Sequence, residues 1–477
     1  MKKAFCFVLM LALCLIFCAC GEDASVIPTE STPTQEESVP TTPTEKDCEH
    51  EYKIVESVSA TCTQTGNVVY QCSKCDHGYQ VEQPKAAHQF VGGNCTTASA
   101  CILCDESLGE IKGHTYDANG TCSVCGHRNF SQGLEYRVNS DGSGYEVAGI
   151  GSCLDVDLVI PSTYLNQPVT GIGDNAFYGH IGLRSVTILP GVTTIGEYVF
   201  YGCTDLISIT IPSGMTSIRA AAFQDCTALT GITIPAGMTS IGEDAFRGCT
   251  ALTGITIPDS VTNVGAGALR SCTGLVEVTL SRNLTSIEKV TFDNCSSLKY
   301  ISIPDGVTRI GYSAFKGCTS LDDVVIPDKV TSIDSMAFYG CTSLTGISIP
   351  NSVTSVGYDV FAECTSLSSV TLSENLACIT HNMFRGCTGL TTVSIPNGVT
   401  MIDFSVFEDC SSLTSVTIPA SVTCIRLSVF RGCTNLTSVT FDGTKVQWNK
   451  ALEKDTWNPE PRQYVVYCTD GEIEKSA

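Results

Sequence analysis

Tryptophan, histidine and basic residues are scarce in this chain. Two tryptophans and seven histidines are spread over 477 residues. Lys and Arg number 27 against 49 Asp and Glu, a formal net charge of −22 at pH 7. A phosphate-binding surface needs the opposite sign, so no nucleic-acid partner is expected. The acidity suits solubility outside a cell. Nucleophile elbow, phosphate loop and metalloprotease helix motifs are all missing from the sequence. Adjacent acids such as Asp322-Asp323 and Glu408-Asp409 point apart in a strand or turn and read as solvated surface. No enzymatic activity is expected. Long apolar stretches are also lacking: residues 4–19 form a run too short for a stable membrane span.

Cysteine, in contrast, is abundant. Of 28 cysteines, eleven recur every 23 residues without a slip: Cys203, Cys226, Cys249, Cys272, Cys295, Cys318, Cys341, Cys364, Cys387, Cys410 and Cys433. A fixed period in this range marks a solenoid rather than a globular core. Phe stands three residues before each cysteine, with Leu269 the one departure, and Leu stands three residues after it, from Leu183 to Leu436. An alternating run such as Leu344-Thr-Gly-Ile-Ser-Ile-Pro follows, a strand with one face toward a core. Pro then closes most strands, and a second apolar pair follows, as at Val353 and Val356.

Each coil offers about six inward apolar side chains that only a neighbouring coil can cover. Burial contributes roughly 1.5–3 kcal/mol for each such side chain, and ordering entropy offsets most of it. The repeat cysteines are expected to be buried free thiols. A disulfide or metal ladder is the competing reading. His180, in the cysteine slot of the first coil, speaks against a disulfide ladder.

The phrase Ala-Phe-x-Gly-Cys-Thr-Ser-Leu-Thr-Ser-Val-Thr-Ile-Pro resembles the BspA-like leucine-rich repeat family, the type first described in treponemal surface proteins. The resemblance covers residues 173–441. It implies a β-rich solenoid of about twelve 23-residue coils, on the surface of bacterial or protist cells. It also implies adhesion to host proteins and to other cells as the function.

The remaining segments each differ in character. Residues 1–20 form a secretory signal with a basic start. Its end, Ile16-Phe-Cys-Ala-Cys20-Gly21, resembles a bacterial lipoprotein signal, which would make Cys20 the acylated first residue and a lipid the only membrane anchor. Simple secretion is the alternative. Residues 21–47 hold seven acidic residues, four Pro and nine Ser or Thr in 27 positions, an extended linker.

Residues 48–129 carry three Cys-x-x-Cys pairs: Cys72 with Cys75, Cys101 with Cys104, and Cys122 with Cys125. His50 and Cys62 precede the first pair, and His88 and Cys95 the second. Each of these sets, three thiolates and one imidazole, suits structural zinc. The third has His114, with His127 to complete it. The pattern resembles short zinc-ribbon-like repeats of bacterial surface proteins. Disulfides remain open, since the chain is read as exported, although the region holds an odd nine cysteines. Residues 130–172 read as a cap on the start of the solenoid, with Asn139-Ser-Asp-Gly142 as a hairpin turn. Residues 442–477 read as the closing cap and contain both tryptophans.

Three functions fit such a chain: a lipid-anchored surface scaffold binding host or bacterial extracellular proteins, a structural spacer of the envelope, or a carbohydrate- or mucin-recognition module. The outward position five residues after each cysteine discriminates between positions on the array. It is mostly Ser, Thr or Gly, but becomes Glu277, Tyr300 and Asp323 on three successive coils. These three are the candidate binding residues.

Overall fold

Each 23-residue period becomes one coil, and where the strands of neighbouring coils pair they do so at the same repeat position. In the computed structural model, which describes residues 52–58, 66–73, 78–83, 90–91, 99–101, 107–108, 130–139, 142–452 and 464–475, the pairing is parallel throughout the array. Ser185 faces Ser208, Gly254 faces Glu277 and Ser415 faces Ser438. The result is a β-solenoid of about 14 turns, two more than the cysteine spacing suggests. The extra coils come from the segments read as caps. Asp157–Ile160 pairs in parallel with Ser185–Ile188, and Tyr464–Cys468 pairs in parallel with Ser438–Phe441. These strands join the ladder without the Phe and Cys signature, so the period alone does not count them.

A second ladder runs beside the first. The apolar pair after each Pro forms a two-residue strand, as at Ser332–Ile333 and Ser355–Val356, which pair in register. Two residues are too few to show an alternation of their own. This ladder therefore appears in the sequence only as an isolated apolar pair.

Between the ladders each coil turns over a column of phenylalanines. Phe292, Phe315, Phe338 and Phe361 stack at 5.3, 5.2 and 5.6 Å between ring centres, nearly coplanar. In a typical coil Phe338, Cys341, Leu344 and Val353 are fully buried, with Ile347, Ile349 and Val356 nearly so. All eleven repeat cysteines are free and buried. The turn carrying the Phe is also bonded between coils: Phe315 N–H donates to Ala337 O at 2.8 Å, and Gly317 N–H to Tyr339 O at 2.8 Å. These bonds hold two left-handed residues per turn. The slot before the cysteine is mostly Gly, Asp or Asn, such as Asn294 (φ 61°), but also takes Ser271 (φ 57°) and Glu363 (φ 61°); the other holds even Val290 (φ 51°) and Met336 (φ 57°).

Both open ends of the stack are covered. At the start, Glu135–Val138 and Tyr145–Gly149 form an antiparallel hairpin, and the second of these strands pairs in parallel with Gln167–Ile172. Asn139 Oδ1 accepts from Gly144 N–H at 3.0 Å and fixes the turn. At the finish, Gly471–Lys475 folds back antiparallel on Tyr464–Cys468. The helix Lys445–Ala451 closes the end, started by a capping box between Thr444 and Gln447. Its Trp448 is fully buried, 5.3 Å from the Phe441 ring.

Tyr52–Val58, Gly66–Cys72 and Gly78–Gln83 form an antiparallel sheet in a compact unit of their own, to which Cys101 also belongs. Among the described residues no helix is long and apolar enough to cross a membrane.

Candidate functional site

The site is built from the longer-strand ladder, whose outward residues line up coil by coil. Glu277 and Tyr300 are register partners, and Tyr300 forms a parallel bridge with Asp323. The three residues singled out by the repeat pattern therefore stand in one continuous row. All three are exposed, Tyr300 to 55%. The inward neighbours Val278, Ile301 and Val324 are buried and hold the row from beneath. Lys299, also exposed, brings its Nζ to 4.9 Å from the Tyr300 ring centre. A hydrogen bond with Tyr300 and the nearby Asp322 carboxylate push the Lys299 ammonium's pKa upward.

The row overlooks two shallow depressions that the repeat pattern does not announce. One, of ≈ 370 Å³, is lined by Glu277, Tyr300, Asp323 and Val325 among others. The other, of ≈ 610 Å³, lies over Gly231 and Gly254, with the threonines around them, and also reaches Glu277. Both occur where strand pairing is interrupted. Residues 231–233 form no strand between Ser208–Thr210 and Gly254–Thr256, and beyond Asp323 residues 324–326 form none either. The available signal was the pair of glycines just before Glu277 in the outward row. A methyl group built on Gly231 would meet nothing within 4 Å.

The row of turn residues two before each cysteine is structurally occupied. Tyr201 stacks on Tyr178 at 4.7 Å, and the Asp225 carboxylate raises its phenol pKa. Lys316 lies 5.6 Å from the Tyr339 ring, and Arg247 is 3.9 Å from Asp244. These contacts fasten one coil to another or stay within a coil.

The expected metal ligands fall differently. Cys72 ends the strand Gly66–Cys72 and Cys101 ends Ser99–Cys101. His50, Cys62, Cys75, His88, Cys95, Cys104, His114, Cys122 and Cys125 lie outside the described residues, as does Cys20. Among the described residues no group of three or more His, Cys, Asp or Glu is placed to hold a metal ion.

The sequence of the coils matches the family model for the BspA type leucine rich repeat region. Six copies are found, over residues 159–272, 216–345 and 331–452, well over half of the chain. The chain belongs to this family. Among solved structures of such leucine-rich repeat proteins, one from Bacteroides ovatus is 27% identical, with a TM-score of 0.50 over 68% of this chain and 97% of that one. A leucine rich cell surface protein from Faecalibacterium prausnitzii A2-165 is 29% identical, with a TM-score of 0.48 over 69% of this chain and 100% of that one. No curated protein matches the chain. The BspA-type solenoid is thus a repeat scaffold of a kind suited to binding proteins.

Proposed function

We propose that this chain is a lipid-anchored bacterial cell-surface scaffold that adheres to proteins of a host or of neighbouring cells. The observation that supports the reading is the row Glu277–Tyr300–Asp323. It is exposed, in register, beside two depressions, and set in a row whose other positions are Ser, Thr or Gly. Tyr300 supplies the large, stiff, amphipathic contact typical of an interface anchor. Cys20 carries the lipid, residues 21–47 hold the folded part away from the membrane, and residues 48–129 are stabilised by structural zinc. Export and anchoring rest on the leader sequence, and zinc on the Cys and His spacing.

A pull-down of extracellular proteins on the purified chain identifies partners, and Tyr300→Ala then tests the site. Affinity for such a partner should fall by about 1 kcal/mol or more, with thermal stability nearly unchanged, because an outward side chain leaves no cavity. Unchanged affinity would remove the row from the interface. Cys20→Ser should move the chain from the membrane fraction to the medium; equal retention would refute lipid anchoring. For residues 48–129, elemental analysis of the reduced full chain should find about two to three zinc ions. Fully paired cysteines with no metal would make these units disulfide-held instead.

A further inference from the structure

We infer that the partner presents an extended segment of spaced lysine or arginine side chains, one of which lies on Tyr300 between Glu277 and Asp323. This rests on the strand-face reading above and adds the chemistry of the partner. Parallel strands are about 4.8 Å apart, so a cation centred over the Tyr300 ring has one carboxylate-bearing coil on either side. An ammonium or guanidinium is the group that both an aromatic face and two carboxylates attract. The chain itself shows the first half of this contact: Lys299 Nζ is 4.9 Å from the ring centre. Lys299 is exposed and held there by Tyr300 and the nearby Asp322 carboxylate, contacts open to solvent that a partner's cation can compete for.

The extended form of the partner follows from the depressions. They share Glu277 and Thr279, so together they make one path from Gly231 to Val325. Four coil spacings make that path about 19 Å long, room for about six residues of extended chain. Over Gly231 and Gly254 it is lined by threonines and by Ile209, Ile232 and Ile255; the threonine hydroxyls can hydrogen-bond a passing backbone without demanding a particular side chain. The acidic excess of the whole chain, −22, would speed the approach of such a segment.

Fluorescence anisotropy with labelled octapeptides tests the inference on the full chain at about 0.15 M salt, where exposed charges far from the path are screened. The probes are alternating Lys-Ser, Glu-Ser and Gln-Ser peptides. The Lys-Ser peptide should bind about tenfold or more better than the other two. Glu277→Gln with Asp323→Asn should weaken it about tenfold, and Tyr300→Ala about fivefold. Asp155→Asn with Glu472→Gln changes the net charge equally at exposed positions outside the path and should alter affinity less than about twofold. Lys299→Ala should tighten binding, because it removes the competing cation. An equal loss in the control pair would mean general charge attraction and overturn the proposal. So would weaker binding by Lys299→Ala, or preference for the acidic peptide. If Tyr300→Ala weakens an extracellular-protein complex while no Lys-Ser peptide binds, the partner class fails and the contact row stands. If neither responds to Tyr300→Ala, the contact row fails as well.

Discussion

Cys318 Sγ donates a hydrogen bond to the carbonyl of Phe292, 3.2 Å away and 26 residues earlier in the chain. The same bond recurs at 3.0–3.2 Å for every repeat cysteine from Cys203 to Cys433, with Leu269 in place of Phe as the acceptor for Cys295. The thiol thus adds a second bond to a turn carbonyl of the preceding coil, which already accepts from Cys295 N–H at 3.0 Å, while filling a small apolar space. This explains why the residue recurs in one register with no partner sulfur. A disulfide would have to pull the sulfur away from that carbonyl.

The ladder makes the fold sensitive to alkali. Burial pushes the thiols of Cys272 and Cys364 from 9.0 up to about 12, and several neighbours well upward for the same reason. The folded state therefore keeps these protons at a pH where the unfolded chain loses them. Stability is fully present below pH 9 and falls as pH rises beyond it, with a slope of about 1.4 kcal/mol per pH unit for each thiol that has ionised only in the unfolded chain. Denaturant midpoints measured in reductant should be level from about pH 7 to 8 and drop steeply by pH 10. A flat profile through pH 10.5 would contradict this account.

The phenylalanine column gives a graded test. Phe315 stacks on both neighbours, at 5.3 and 5.2 Å. Phe315→Ala should cost about 3–5 kcal/mol through the cavity it leaves. Phe315→Leu should cost less than about 1.5 kcal/mol, because Leu269 already fills the equivalent slot, 1% exposed, between Phe246 and Phe292. Equal losses for the two variants would mean that ring stacking, rather than volume, decides the slot.

Val290 is a β-branched residue in left-handed backbone, φ 51°, held there by its N–H bonding to Tyr312 O at 2.8 Å. Asparagine tolerates this conformation and keeps the backbone bond. Val290→Asn should stabilise the chain by about 1 kcal/mol. A lower melting temperature would show that the valine's side-chain contacts outweigh its backbone strain.

The parts that were legible in the sequence are those that repeat. Phe, Cys and Leu recur because every coil presents the same interior to the next, so period and core position could be read from residues such as Phe338, Cys341 and Leu344. The alignment of Glu277, Tyr300 and Asp323 followed from the same logic, since residues one period apart must be neighbours. What repetition does not encode was not legible. Residues 231–233 repeat the Gly-Ile-Thr of 254–256, yet only the latter form a strand. Strand pairing there depends on how neighbouring coils sit. The second ladder was hidden because Ser355–Val356 is too short to carry a periodic signal.

The closing cap offers a test of how far cooperativity extends along the stack. Trp448 is fully buried against Phe441 and packs at the closing end of the stack. Removing it with Trp448→Ala should cost about 3–5 kcal/mol locally. In an array where each coil touches only its neighbours, that loss is felt first by the adjoining coils rather than by the whole. Hydrogen exchange should therefore quicken in Ser415–Ile418 and Ser438–Phe441, with Ser208–Thr210 and Ser217–Ile218 keeping their protection. If exchange instead quickened equally at both ends, the solenoid would unfold as one unit, and its stability could not be treated as a sum over neighbouring coils.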